Sequence, residues 1–260
     1  MYKLDNGFAG YDFTVSIVGC GGTGGFVAEG LCRLLPPEAR LVLVDHDRVE
    51  ERNLCRQNFT REELGRFKSE ALAQRLARGS GRPVGYTILP VGMLNIGRGG
   101  LVIGCVDNGL ARADIAKGLC HYPFNTWWVD AGNAENYGQV IIGNRDLRHI
   151  DGAFDNEDIC HALPLPTLQR PELLVQAPRG QGCAEIDAEQ GPTINQAMAA
   201  LVVEVVRRLI DGTCPWMQLY LDLEAGTLSP VLATVEAVAK MTGMKRRTLV
   251  RKEVNRERGY

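Results

Sequence analysis

From Phe13 to Val18 the chain is apolar and β-branched. It turns on glycine, takes up a helical period over Gly24–Leu35, and becomes apolar again over Leu41–Asp45 beyond the Pro36-Pro37 break. Strand, helix and strand in that order make a βαβ unit. Further on, Arg61–Arg78 is polar and helix-favouring, Val84–Pro90 is strand-like, and Leu101–Val106 is a short apolar run that stops at Asp107-Asn108. Ala111–Cys120 reads as another helix and Trp127–Ala131 as a fourth parallel strand, after which Gly138–Gly143 starts a different pattern. From Asp146 to Gln190 periodicity fails and prolines accumulate, as in a functional or mobile loop. Thr193–Ile210 then has one apolar face, and Trp216–Leu223 with Thr227–Leu232 forms a hairpin across Ala225-Gly226. The pattern predicts an α/β fold, Rossmann-like and doubly wound. Its mainly parallel sheet is followed by an irregular crossover loop over about 146–190, a C-terminal helix and an antiparallel hairpin.

Composition narrows the setting. A chain of 260 residues with 45% hydrophobic content buries a substantial core as one domain, 1–260. A formal charge of -2 gives no general attraction to nucleic acid, and the locally basic tail at 245–260 reads as a solvated or partner-facing end. No charged-then-apolar leader is seen, nor an apolar run near the roughly 20 residues that span a bilayer, so the expected location is the cytoplasm. Eight cysteines are scattered without any C-x-x-C pair, which points to reduced thiols. Cys32 and Cys105, inside apolar runs, read as small core residues.

The candidate chemistry starts at the first turn. Gly19, Gly21 and Gly24 fit G-x-G-x-x-G between a strand and a helix, where glycine lets backbone N–H groups approach a phosphate and the helix N-terminus adds its positive end. The same turn also serves simple helix-strand packing. Asp45 closes the second strand about 20 residues on, placed to accept both ribose hydroxyls of NAD or ATP alike. Asn53 and Arg56, three residues apart, and then Lys68 add an amide and two cations, which suit a triphosphate better than a nicotinamide dinucleotide. Each cation alone also reads as an ordinary surface charge. Asp107, at a strand tip, suits magnesium on phosphates, or it caps the next helix, a role Asn108 fills equally well. Arg112 reads as a local pairing residue.

Five ordered motifs, G-x-G-G-x-G over 19–24 with Gly22 included, D-x-D-x-V-E from Asp45, N-L-x-R-Q from Asn53, G-x-x-K ending at Lys68 and V-D-N at Val106–Asn108, resemble the ThiF/MoeB family of adenylating enzymes. That family activates ubiquitin-like and sulfur-carrier proteins. The resemblance covers roughly the first 145 residues, including Gly138-Gln139, and is strongest to the branch encoded with PRTRC gene clusters. It implies ATP contacts by Gly19, Gly21, Gly22, Gly24, Asp45, Asn53, Arg56 and Lys68, a magnesium ligand in Asp107, and a partner protein whose C-terminal glycine carboxylate attacks the α-phosphate. It also implies a homodimer, and a cysteine in the crossover loop that takes over the acyl group. Cys183, before Gly191-Pro192, matches that position, with Cys160 as the alternative. The pattern departs from the family twice. The paired C-x-x-C of a structural zinc site is missing, so no zinc is expected, and Met1–Thr14 lacks the arginine that dimeric relatives lend to a neighbouring ATP site.

Three other readings stand beside this one. An NAD-dependent oxidoreductase uses the glycine turn and Asp45 but gives Asn53, Arg56, Lys68 and Asp107 no shared purpose. Adenylation of a small molecule or an RNA base keeps the chemistry and changes the acceptor. A non-catalytic scaffold that binds a ubiquitin-like protein keeps the site without turnover.

Overall fold

The computed structural model describes residues 2–5, 13–96, 100–120, 126–155, 158–175 and 191–251. Among these, β2 (Thr14–Val18), β3 (Arg40–Val44), β4 (Val84–Thr87), β5 (Gly100–Gly104) and β6 (Thr126–Asn133) run parallel in the order β4-β3-β2-β5-β6. Beyond β6 the sheet continues antiparallel through β7 (Tyr137–Gly143), β9 (Trp216–Asp222) and β10 (Thr227–Leu232). The parallel set is one strand larger than the sequence pattern implied, because Val84–Thr87 pairs with β3 as the outer strand. Strand order reverses at β2, whose neighbours are β3 and β5, and the carboxyl ends there open the crevice used by ligands of doubly wound sheets.

Two layers of helices cover the sheet. On one face α1 (Gly22–Leu34) packs against α2 (Lys68–Ser80) and α5 (Pro192–Ile210). Their shared core includes Ile17, Leu31, Leu43, Leu72, Val129, Val202 and Val206. Gly30 makes the close crossing of α1 and α5 possible, since a Cβ there would stand 2.7 Å from a Val203 methyl. The opposite face carries α3 (Gly109–Cys120) and α4 (Pro166–Gln169) over Val18, Val102 and Trp128. The 61–78 stretch is not one helix. A 3-10 turn at Arg61–Glu63 is closed by a capping box between Thr60 and Glu63, and α2 begins only at Lys68.

The crossover region carries more structure than its irregular sequence suggests. β8 (Ile159–Cys160) pairs in parallel with β1 (Lys3–Leu4), and α4 is followed by a 3-10 turn at Pro171–Leu174. The His161 ring stands between two carboxylates, with Nδ1 3.2 Å from Asp5 and Nε2 2.9 Å from Asp155. Past the hairpin, α6 (Val235–Thr242) and α7 (Arg246–Leu249) close the described chain and include the start of the basic tail. No helix among the described residues is long and apolar enough to cross a membrane. Truncating the fully buried Leu31 to alanine is expected to cost about 2–5 kcal/mol, read as a lower urea midpoint with an unchanged slope.

Candidate nucleotide-binding site

The glycine turn sits at the β2 carboxyl end and is held by its neighbours on both sides. Gly19 N–H donates to the Val44 carbonyl at 2.9 Å, and Cys105 N–H to the Val18 carbonyl at 2.8 Å. Gly19 has a φ of +89°, and a Cβ on it would lie 2.5 Å from the Cys105 carbonyl oxygen. Gly24 approaches still closer, with its would-be Cβ 1.9 Å from the Gly19 carbonyl oxygen. These two positions need glycine for the turn itself. Gly21 instead faces the Gln57 side chain, whose Nε2 would stand 3.6 Å from an added Cβ and whose Oε1 is buried without a hydrogen-bond partner. A buried acceptor left open beside a glycine cradle fits a ligand that brings its own donor.

Asp45 follows β3 and joins that strand to the turn. Its Oδ2 accepts the Cys20 N–H at 2.7 Å and its Oδ1 the Asp47 N–H at 2.8 Å, which leaves one lone pair on each oxygen. Burial pushes its carboxyl above the ordinary range, opposed by the Lys68 ammonium and by those two N–H groups. Lys68 opens α2, itself buried, with Nζ 3.2 Å from the exposed Asp47 carboxylate. Asp45, His46 and Asp47 form a cluster close enough to share a cation, although exposed acidic groups of this kind commonly hold none.

The arginine loop folds down onto this edge. A 3-10 turn at Glu51–Asn53 is closed by a capping box in which Asn53 Oδ1 accepts the Glu50 N–H at 2.9 Å, so part of the Asn53 amide is structural. Asn53 and Arg56 are both buried. Arg75 pins the far end of the loop to α2 through Glu63 at 2.9 Å and the Asn58 carbonyl. Asp107 stands exposed just past β5 and accepts a 3.3 Å hydrogen bond from Asn108 Nδ2. The helix-capping role falls to Asn108, whose Oδ1 accepts the Ala111 N–H at 2.8 Å, so the Asp107 carboxylate is spared for other use.

The thiols divide by access. Cys20 and Cys105 flank the turn, and burial drives both well above the ordinary thiol range. Cys160, the alternative nucleophile, is a sealed core residue that donates to the Ala162 carbonyl, its thiol likewise pushed up by burial. A thiolate needs access and a lowered pKa, so Cys160 is unsuited to the role. Cys183 lies outside the described residues.

Three side chains that sequence reading passed over hold the site together. Asn195, in the first turn of α5, is 0% exposed and donates from Nδ2 to the Arg56 carbonyl at 3.3 Å. Its Oδ1 accepts from Thr23 Oγ1 at 3.3 Å and from Asn133 Nδ2 at 3.1 Å, while Asn133 Oδ1 takes a second contact from Thr23 at 3.0 Å. Gly22 makes room for this network, since a Cβ there would lie 2.4 Å from Asn195 Nδ2. An asparagine in the buried stripe of Ile194, Met198 and Ala199 at the start of α5 was the available signal. Among the described residues, the glycine turn is joined to Asp45 through the Cys20 N–H and to the Arg56 carbonyl through Asn195, Lys68 stands beside Asp45, and Asp107 follows β5, the other strand paired with β2.

A sequence model of the ThiF family matches residues 11–80. Ubiquitin-like modifier-activating enzyme 5 of Arabidopsis thaliana is 28% identical over 214 residues, 74% of this chain and 46% of that protein. The Xenopus laevis enzyme of the same name is 29% identical over 216 residues, 76% and 50% of the two chains. Residues 11–80 of the chain are thus similar to the ThiF family. It spans about half the length of these curated relatives. Among solved structures, PaaA aligns with a TM-score of 0.60 at 17% identity, covering 85% of this chain and 73% of that one. E. coli MccB with ATP aligns at 0.58 and 18%, covering 85% and 64%. At such identities the likeness is one of fold, and it agrees with the Rossmann-like strand order described above. Replacing Asn195 by alanine removes its hydrogen bonds to Thr23, Asn133 and the Arg56 carbonyl and is expected to cost about 1–3 kcal/mol, measured by chemical denaturation.

Proposed function

We propose that the protein binds ATP with magnesium and adenylates the C-terminal carboxylate of a ubiquitin-like or sulfur-carrier protein. The observation that supports this reading is the hydrogen bond from the glycine turn to Asp45 at the switch point of the sheet, with Lys68 beside that carboxylate. The N–H groups of the turn and the α1 N-terminus receive phosphate oxygens, and the spare lone pairs of Asp45 receive ribose hydroxyls. Arg56 and Lys68 offset the triphosphate charge. Asp107 would hold the magnesium ion, whose preferred shell is one or two carboxylates with waters and phosphate oxygens. When bound, that ion neutralises charge on the phosphates and the leaving group.

In the reaction, a carboxylate oxygen of the carrier forms a bond to the α-phosphorus as the bond to pyrophosphate breaks. The products are acyl-adenylate and pyrophosphate. The protein contributes alignment and fixed positive charge rather than covalent chemistry at this step. A cavity of about 480 Å³, walled by β6, β7, β9 and β10, offers the carrier tail an approach from the antiparallel side of the sheet. The names of the curated relatives, ubiquitin-like modifier-activating enzymes, support the carrier class. In a second step the Cys183 thiolate attacks the acyl carbon and AMP departs, leaving a thioester. We further place the working form as a homodimer in the cytoplasm, a setting supported by the free thiols of the described cysteines.

Carrier-dependent exchange of labelled pyrophosphate into ATP tests the reading. Asp107→Ala is expected to lower exchange by roughly a hundredfold or more, whereas Cys183→Ala spares exchange and loses a thiol-sensitive carrier adduct. Unchanged exchange in Asp107→Ala removes the metal role, and an adduct that persists in Cys183→Ala removes the nucleophile. NADH formation with no exchange favours the oxidoreductase reading instead.

A further inference from the structure

The described chain ends in two helices joined by a tight turn, a part of the fold that the nucleotide site does not use. α6 starts at Thr234, whose Oγ1 accepts the Ala237 N–H at 3.2 Å, and it buries Val235 and Val238. It stops at Gly243, which has a φ of +72° and donates its N–H to the Ala239 carbonyl at 2.9 Å. A Cβ on Gly243 would meet nothing within 4 Å, so glycine serves the left-handed backbone there and not a close contact. Three residues, Gly243, Met244 and Lys245, then lead into α7. Helix, short glycine turn and helix in this order make a helix-turn-helix.

The second helix is fastened on one side and open on the other. Leu249 is fully buried, and the Gly152 and Phe154 N–H groups donate to the Thr248 and Leu249 carbonyls at 2.8 and 2.9 Å. The exposed residues from Gly243 to Arg251 are that glycine and four cations, Lys245, Arg246, Arg247 and Arg251. Glu236 of α6 pairs with Arg246, and Arg251 donates through Nε to the Gly152 carbonyl at 3.0 Å. Among the described residues, Lys245 and Arg247 have no ion-pair partner. The sequence continues with Lys252, Arg256 and Arg258 against Glu253 and Glu257, so the formal charge of -2 for the whole chain conceals a basic end on an acidic body.

We propose that α6, the Gly243 turn and α7 dock the protein on duplex DNA, with α7 facing the major groove and Lys245, Arg247 and Arg251 on the phosphates. The assignment is independent of the adenylation reading. Cations without acidic partners are drawn to the phosphate backbone and release its condensed counterions. The major groove of B-form DNA admits a helix, whereas that of an RNA duplex is too narrow. Single strands are held on aromatic stacking surfaces, and protein partners on an apolar centre, and the exposed face of α7 offers neither. A helix of one turn positions the duplex through its phosphates more than it reads bases, so the contact is weakly dependent on sequence.

The probe is a fluorescent DNA duplex of about 20 base pairs titrated into the full chain at about 50 mM salt. Micromolar binding is expected, with log affinity falling against log salt at a slope of about -3 for three phosphate contacts. K245Q/R247Q is expected to weaken binding about tenfold or more and to bring the slope to about -1, while affinity for a fluorescent ATP analogue stays within about twofold. Gly243→Val keeps every charge but strains the turn, and is expected to weaken DNA binding about fivefold or more. A chain stopped after Arg251 is expected to stay within about threefold of the full chain. No DNA binding by the unaltered chain overturns the proposal. Equal or tighter binding of labelled polyglutamate assigns the surface to an acidic protein, and equal or tighter binding of duplex RNA assigns it to RNA, and either result overturns the DNA reading. Binding that survives both K245Q/R247Q and Gly243→Val overturns the helix-turn-helix, and its loss on stopping the chain after Arg251 moves the contact to the tail.

Discussion

The 2.7 Å hydrogen bond from the Cys20 N–H to Asp45 fixes how the rest of the rim is arranged. β2 and β3 are parallel neighbours, so their carboxyl ends arrive at the same level and the residues just past them meet without further chain. One of those residues is an anion and the other a backbone donor in a turn shaped by glycine. Their bond sets the height of the turn above the strand end, and from there the path of α1 follows. A carboxylate that is buried and pushed upward in pKa is retained here because two backbone donors and the Lys68 ammonium surround it.

A second constraint comes from the opposite side of the turn. The first turn of α5 reaches over α1 and, through Asn195, touches the glycine turn, the end of β6 and the arginine loop together. Hydrogen bonds in such a buried site hold geometry strictly, since each donor lost leaves a desolvated partner. Segments widely separated in sequence are therefore referenced to one amide, and Gly22 keeps its place by leaving room for that amide.

Much of this was legible in the residues. Apolar period and glycine placement located β2, α1, β3, β5 and α5 within a few positions, because each buries one continuous stripe against the sheet. The positions of Asp45 and Asp107 just past β3 and β5 were readable because parallel strands of a doubly wound sheet end on the same side. What escaped was non-local. Nothing near Asn195 in sequence says which carbonyl it will meet, and Arg112 looked like a local pairing residue until Asp130, eighteen positions on, was seen beneath it. The short elements between Asp146 and Val175 were missed because they are held by tertiary contacts with the N-terminal strand and the sheet instead of by periodicity. The capping-box turns at 51–53 and 61–63 were hidden by helix-favouring composition.

The pairing of Lys3–Leu4 with Ile159–Cys160 bears on how the chain is handled. Leu4 is fully buried and Asp5 faces the His161 ring, so the opening residues are an integral piece of the body near the crossover region. Trimming them would uncover an apolar hole and unpair the backbone of β8. An expression tag belongs ahead of these residues, where it leaves the small two-stranded clasp intact.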